Sequence, residues 1–445
     1  MLRLPLTFQD GTRTSPPPTS ADEVRARLLA LLKGDLDFHG EHEEAIHRIH
    51  PFPAKFPPAL PKLFIEQLTR PGDRVLDPMM GSGTTVVEAA YAGRIALGGD
   101  IDPLALEIAR AKCHPIPPHH LEHAVRQTLQ RAESLYRDGQ ALQQAFESRF
   151  DHETRRFLDY WFLKSTQREL LALQQSVEQE ENPDVKTWLR VVFSGIIIAK
   201  GGSVALARDL SHTRPHRVHK TSRSALVAFR ERGFRMVQRL SRTQFAPSLR
   251  CLLWQGDAQR LPLPSNHVRL IVTSPPYASN AIDYMRAHKF TLVWWGYPID
   301  TLSQLRREYI GGEAIQGVLM EPLPSEAQEA VRRIATRDAK KGKVLHRYFS
   351  EMRRVLLEMV RVLEPGGCAV LVVGDSTMRG VSTRTPEALA AIGRQIGLEW
   401  VYTSIRRLDR DRRMMPTRRQ PGASQIEQRM HHEYVLGFIK PEGKG

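Results

Sequence analysis

Two rhythms of hydrophobic and polar positions alternate along this chain. Short runs of β-branched and aliphatic residues, closed by glycine, aspartate or proline, are separated by longer stretches with apolar residues every three or four positions. The first rhythm predicts buried strands and the second amphipathic helices. Val24, Leu28, Leu29, Leu31 and Leu32 predict a helix over 21–32, with Ser20 or Asp22 as its cap. A helix over 59–68, a strand from Val75, a helix ending near Gly93, a strand over 95–99 and a helix over 104–112 follow. The next stretch has no strand run: it predicts helices over 121–136, 153–176 and 185–199, then a basic helix over about 222–239. Strand patterns return at 250–255 and 270–273, before helical spacing over 281–295 and a loop-rich stretch beyond Ile299. A helix over 348–363, a strand over 368–373, a helix over 386–396 and strands over 400–405 and 433–439 complete the chain.

Two of these strands end in residues suited to chemistry. Val75-Leu76-Asp77 runs into Pro78-Met79-Met80-Gly81-Ser82-Gly83-Thr84-Thr85. Gly81 and Gly83 permit close backbone approach, and Thr84 or Thr85 can cap the following helix, so the stretch reads as a nucleotide-type cradle or as an ordinary tight turn. No Gly-Lys-Ser/Thr ending is present, which disfavours a P-loop NTPase. Leu270-Ile271-Val272-Thr273 stops at Ser274-Pro275-Pro276-Tyr277, because proline has no N–H to continue a ladder. Ser274 and Tyr277 are thereby held at a strand's carboxyl end, where open α/β sheets bind ligands.

Together the two stretches resemble the S-adenosylmethionine-dependent methyltransferases that modify exocyclic amino groups of DNA bases, over roughly residues 45–112 and 249–440. The resemblance departs from the family at Met79, where phenylalanine is usual, and in placing the Pro-Pro-Tyr element second. It implies an α/β fold, a Rossmann-like class I methyltransferase with a seven-stranded, mostly parallel sheet whose last strand is antiparallel, and S-adenosyl-L-methionine as cofactor. Asp77, Pro78, Met79, Gly81, Gly83, Thr84 and Thr273 would bind the cofactor, with Asp257 accepting from its adenine amine. Lys55, in the proline-rich run His47–Pro58, resembles the lysine of a segment that lies over the cofactor, or belongs to an entry linker. Asp100, at the end of the second strand, can accept two ribose hydroxyls, while Asp102 caps the helix beyond Pro103.

The same resemblance assigns catalysis to Ser274, Pro275, Pro276 and Tyr277. An exocyclic amine is conjugated to its ring and a poor nucleophile until its two N–H groups are accepted; the Ser274 hydroxyl and the Pro275 carbonyl can accept them while Tyr277 stacks on the base. A base in a duplex reaches such a pocket only when flipped out. Serine in first place resembles the cytosine-N4 members. Adenine N6, an RNA base amine, and a catalytically idle DNA-binding subunit of a defence complex are the alternatives. The chain divides into a tail and helix (1–44), a first part of the methyltransferase domain (45–112), a helical insertion (113–248) and a second part (249–445).

Composition sharpens the expected partner. The 445 residues carry a formal net charge of +15, which points to a polyanion, here double-stranded DNA. Between 201 and 250 eleven lysines and arginines face only Asp209 and Glu231, so nine of the fifteen excess charges fall there. Arg214, Arg217, Lys220 and Arg223 in that segment, and Arg412 and Arg413 in a second arginine-rich loop, are expected at the DNA backbone; solvated charge is the plainer alternative. Three scattered cysteines argue for buried thiols in a reducing compartment. His114, His119, His120 and His123 lack cysteine or acidic partners at ligand spacing, so no metal is expected. Without an 18-residue apolar run or a signal peptide, a cytoplasmic protein is expected, with no membrane association and with a restriction endonuclease or defence complex as its conceivable associate.

Overall fold

The computed structural model describes residues 18, 20–38, 44–52, 55–197, 203–207, 223–243, 249–278, 283–408 and 430–442. The strands are β1 (Arg74–Asp77), β2 (Ile95–Asp100), β3 (Arg250–Gln255), β4 (Val268–Thr273), β5 (Leu363–Val373), β6 (Thr377–Met378), β7 (Val381–Ser382), β8 (Glu399–Arg407) and β9 (His432–Ile439). Seven of them form one sheet in the order β3-β2-β1-β4-β5-β9-β8, and β6 and β7 make a separate small hairpin. All neighbours up to β5 are parallel, whereas β9 runs antiparallel to both β5 and β8. The strand order reverses between β1 and β4, so their carboxyl ends open a crevice between them. This is the expected Rossmann-like arrangement with an antiparallel terminal strand.

Alternation along each strand explains why the sheet is covered on both faces. Cys368, Val370 and Val372 of β5 join one buried cluster, and Ala369, Leu371 and Val373 join the other. Leu270 and Val272 of β4 part from Ile271 in the same way, while Val268, beyond a register irregularity before Leu270, joins the Ile271 side. A strand apolar on both faces reads as a continuous hydrophobic run, which is what the sequence shows.

Fifteen helices surround the described sheet: α1 (Ala21–Lys33), α2 (Ala59–Leu68), α3 (Thr84–Tyr91), α4 (Pro103–Cys113), α5 (Pro118–Arg137), α6 (Gly139–Arg149), α7 (His152–Trp161), α8 (Lys164–Glu178), α9 (Pro183–Ile197), α10 (Ala225–Leu240), α11 (Tyr284–Leu292), α12 (Ile299–Glu308), α13 (Ser325–Ala335), α14 (Ala339–Val362) and α15 (Thr385–Gln395). Ser20 caps α1 by accepting from Glu23 N, and Asp102 caps α4 through Leu104 N and Ala105 N, as expected. Four expectations change. The α3 cap is Gly83, at φ +82°, rather than either threonine. The helix expected over 153–176 is two helices, and α6 precedes them. The loop-rich stretch beyond Ile299 holds α12 and α13, and the helix expected from Tyr348 starts nine residues earlier, at Ala339.

Helices α5 to α10 form the insertion between β2 and β3, and they dock on α4. Arg190 of α9 donates to Glu107 of α4 at 2.9 Å and to Glu178 of α8 at 2.8 Å, so one guanidinium joins the insertion to the sheet's own helix. Trp188, fully buried, donates its indole N–H to His114 O at 3.0 Å. Among the described residues no helix is long and apolar enough to cross a membrane.

Candidate active site

A cleft opens to solvent at the carboxyl edge of β1, β2 and β4. Its floor is the turn after β1. Gly81 N donates to Asp100 Oδ2 at 2.8 Å, and Asp102 N donates to Asp100 Oδ1 at 2.9 Å, so the end of β2 holds the glycine turn in place. Gly83 takes the left-handed conformation, and a Cβ there would lie 2.9 Å from that of Ala109 on α4. The turn therefore packs against α4 as closely as backbone allows.

Asp77, at the end of β1, is buried and accepts from Thr273 Oγ1 at 2.7 Å and from Met79 N at 3.2 Å. Burial raises its pKa to about 6, against the pull of those donors. Thr273 is itself fully buried, so its hydroxyl orients Asp77 from behind and does not line the cleft. Burial likewise raises Asp100 to about 7, with nearby Asp102 adding to the effect.

Of the residues expected to bind a cofactor, Lys55, Asp77, Pro78, Met79, Gly81, Thr84, Asp100 and Asp257 line this one cleft, together with Ser274 and Pro276. Gly83 lies behind it, and Pro275 and Tyr277 lie outside its lining. Lys55 Nζ donates to His47 O at 2.5 Å, which ties these two residues together beside the cleft. Asp257 is exposed, and its Oδ1 accepts from Gln259 N at 2.9 Å. The Tyr277 hydroxyl donates to Glu433 Oε1 at 2.7 Å.

Several wall residues were not expected. Phe52 stacks on Tyr284 with ring centroids 5.4 Å apart and 22° between planes, and both rings line the cleft. Asp102, besides capping α4, accepts at Oδ2 from His288 Nδ1 at 2.5 Å and from the Tyr309 hydroxyl at 2.8 Å. Its carboxyl is held below the usual carboxylate range by His288 and these bonds, which outweigh burial, so it is ionised and the His288 proton sits on Nδ1. Tyr284 and His288 stand one turn apart on α11; that spacing was the only local signal of either. Tyr309, Glu308 and Ile310, also in the wall, fall in the stretch expected to be loop.

The expected DNA-facing residues divide differently. Arg214, Arg217, Lys220, Arg412 and Arg413 lie outside the described residues. Arg223 pairs with Glu231. The basic helix forms as α10, but two of its arginines turn inward: Arg232 donates to Ile49 O at 2.7 Å, and Arg239 to Arg48 O.

A family model described as DNA methylase matches residues 34–111 and 268–444 of the chain. The Type II methyltransferase M.MvaI of Kocuria varians is 24% identical over 405 residues, covering 85% of this chain and 87% of that protein. The Type II methyltransferase M.MjaII of Methanocaldococcus jannaschii is 40% identical over 78 residues, 18% of this chain and 15% of that one. Among solved structures, a SAM-dependent methyltransferase of Methanosarcina mazei is 10% identical with a TM-score of 0.30, covering 84% of this chain and 95% of its own.

Proposed function

The chain belongs to the N6/N4 DNA methylase family, and from that premise we propose that it methylates an exocyclic amine in double-stranded DNA, with cytosine N4 as the target. The observation that carries the reading is the convergence, in one cleft, of the Gly81 turn, the Asp100 and Asp257 carboxylates, and Ser274 with Pro276. S-adenosyl-L-methionine, when bound, supplies an electrophilic methyl group. The cleft suits that molecule on chemical grounds. Two carboxylates offer acceptors for ribose hydroxyls and an amine, the Phe52–Tyr284 pair offers an aromatic wall, and the glycine turn leaves room for backbone contact.

The chain's own residues do the rest. Ser274 Oγ and the Pro275 carbonyl accept the two N–H groups of the target amine, drawing its lone pair out of conjugation. Pro275 and Pro276 fix the backbone that presents both acceptors, so the amine is oriented before it reacts and proximity supplies much of the rate. Tyr277 stacks on the base once it is flipped out. Serine as the leading acceptor favours cytosine over adenine.

The test is product analysis. Incubating the protein with labelled S-adenosyl-L-methionine and unmethylated DNA, then digesting to nucleosides, should give N4-methyldeoxycytidine by mass spectrometry. N6-methyldeoxyadenosine would overturn the choice of base and keep the chemistry. Absence of label in DNA would overturn the reading as a whole.

A further inference from the structure

We propose that Glu433 is the positioning residue of Tyr277, holding its ring pre-set before a base arrives; this rests on the stacking role given to Tyr277 above. The two residues are 156 positions apart, and the sheet brings them together. Tyr434 pairs with Val373, the last residue of β5, and Glu433 stands one step beyond, at the same carboxyl edge where β4 ends and Ser274 begins. From there its Oε1 accepts the Tyr277 hydroxyl at 2.7 Å.

Glu433 is itself fixed. Its cross-strand partner in the β8–β9 ladder is Arg406, whose Nη1 donates to Glu433 Oε2 at 2.8 Å. Arg406 is 1% exposed, and its Nε donates to Leu36 O at 3.1 Å, so the guanidinium cannot follow the carboxylate elsewhere. The series from Leu36 O through Arg406 and Glu433 to the phenol is anchored at its buried end. Burial and the Glu433 charge push the Tyr277 phenol well above its ordinary pKa, with the Ser274 hydroxyl opposing, so it remains a donor.

The ring is gripped on its flank as well. A Cβ at Gly374, just past β5, would come within 2.6 Å of Tyr277 Cε2 and of Met430 Sδ, so bare backbone is what the ring lies on. Leu408 and Met430, at the ends of β8 and β9, complete the contact. A tyrosine that only stacked would need none of these constraints. A hydroxyl bonded to a charged acceptor fixes the ring's direction, and an aromatic platform already in place loses less freedom when a base settles on it.

The test is steady-state methylation of DNA by Tyr277→Phe, Glu433→Gln, Glu433→Leu and the Phe/Leu double variant. Tyr277→Phe keeps the stacking ring and the Arg406–Glu433 pair, and removes the phenol's bonds to Glu433 and to the Ser274 hydroxyl. It should lower kcat about ten-fold with KM for S-adenosyl-L-methionine unchanged and Tm lowered by only a few degrees. Glu433→Gln, which keeps an acceptor, should retain more activity than Glu433→Leu, and the double variant should be no slower than Glu433→Leu alone. Glu433→Leu strands a buried guanidinium and is open to misfolding, so Tyr277→Phe is read together with Glu433→Gln, which leaves Ser274 untouched: a partial loss in Glu433→Gln marks a fixed ring, and a wild-type rate in it beside a slowed Tyr277→Phe assigns that loss to Ser274 and overturns the proposal. Wild-type rates in Tyr277→Phe, or independent losses that multiply in the double variant, would overturn the proposal. The wild-type control separates the two readings: if it does not methylate DNA, the functional reading fails and this inference with it.

Discussion

Asp100 shows how one carboxyl joins local structure to ligand chemistry. Its two oxygens already accept backbone N–H groups from Gly81 and Asp102, and burial nevertheless holds its pKa near 7. Between about pH 4 and 7 the folded protein therefore keeps a proton that the unfolded chain has released, so this group makes stability fall as pH rises through that window and level off above it. In the role proposed for Asp100, the ionised carboxylate is the stronger acceptor for ribose hydroxyls. Affinity for S-adenosyl-L-methionine should rise with pH up to about 7, by as much as ten-fold per unit, and then flatten. Titration calorimetry on wild type and Asp100→Asn checks this, because the cofactor's own ionisations are common to both. A wild-type profile parallel to that of the variant would contradict it. The place of Asp100 at a strand end was legible in the sequence, and so was the helix cap at Asp102. The second role of Asp102 was not, because His288 and Tyr309 lie 186 and 207 residues away and no local pattern marks a pairing at that distance.

Among elements, the turn between β1 and α3 is the most tightly determined. Gly83→Ala meets both the strain of a left-handed backbone and a Cβ 2.9 Å from Ala109, together about 2–4 kcal/mol. Gly72→Ala meets the strain alone, since nothing lies within 4 Å of its Cβ, and should cost about 1 kcal/mol. Thermal denaturation of the two variants should rank them in that order, and equal losses would mean the packing on α4 counts for nothing. The Gly-x-Gly pattern made this turn readable in advance. The break between α7 and α8 was not, because no glycine or proline marks it. There the buried Gln167 side chain donates to Phe162 O, a carbonyl that a continuing helix would have satisfied, and shares Leu158 O with Phe162 N. Further on, Gly311, Gly312, Pro322 and Pro324 read as loop punctuation and hid α12 and α13, and the basic run at Lys340 hid the start of α14. That helix buries Val344, Leu345 and Tyr348 while Lys340 and Lys343 stay exposed, an amphipathic pattern outweighed by the charge of its first turn.

For the molecule as a whole, the doubly wound sheet was legible because each strand's apolar run ends in a turn residue, whereas the docking of the insertion was not. Density of charge suggested that α10 faces DNA, but charge density does not say which arginines turn inward. Arg232 fits against Gly195 of α9 and donates to Ile49 O, and Arg239 donates to Arg48 O at the end of the 3-10 turn Ala45–Arg48. The chain then continues to Phe52, Lys55 and Phe56 in the cleft wall. The insertion thus braces the segment beside the cleft. Burial, with Arg239 and Arg235 nearby, lowers the Arg232 guanidinium to about 10, so its charge is disfavoured where it sits. Arg232→Met should consequently lose the bond to Ile49 O while relieving that crowding, a net effect of about 1 kcal/mol, or about five-fold in affinity. The loss should appear in S-adenosyl-L-methionine binding measured without DNA, with Tm shifted by only a few degrees. Unchanged cofactor affinity beside a large fall in Tm would show that Arg232 holds the insertion to itself and leaves the cleft alone.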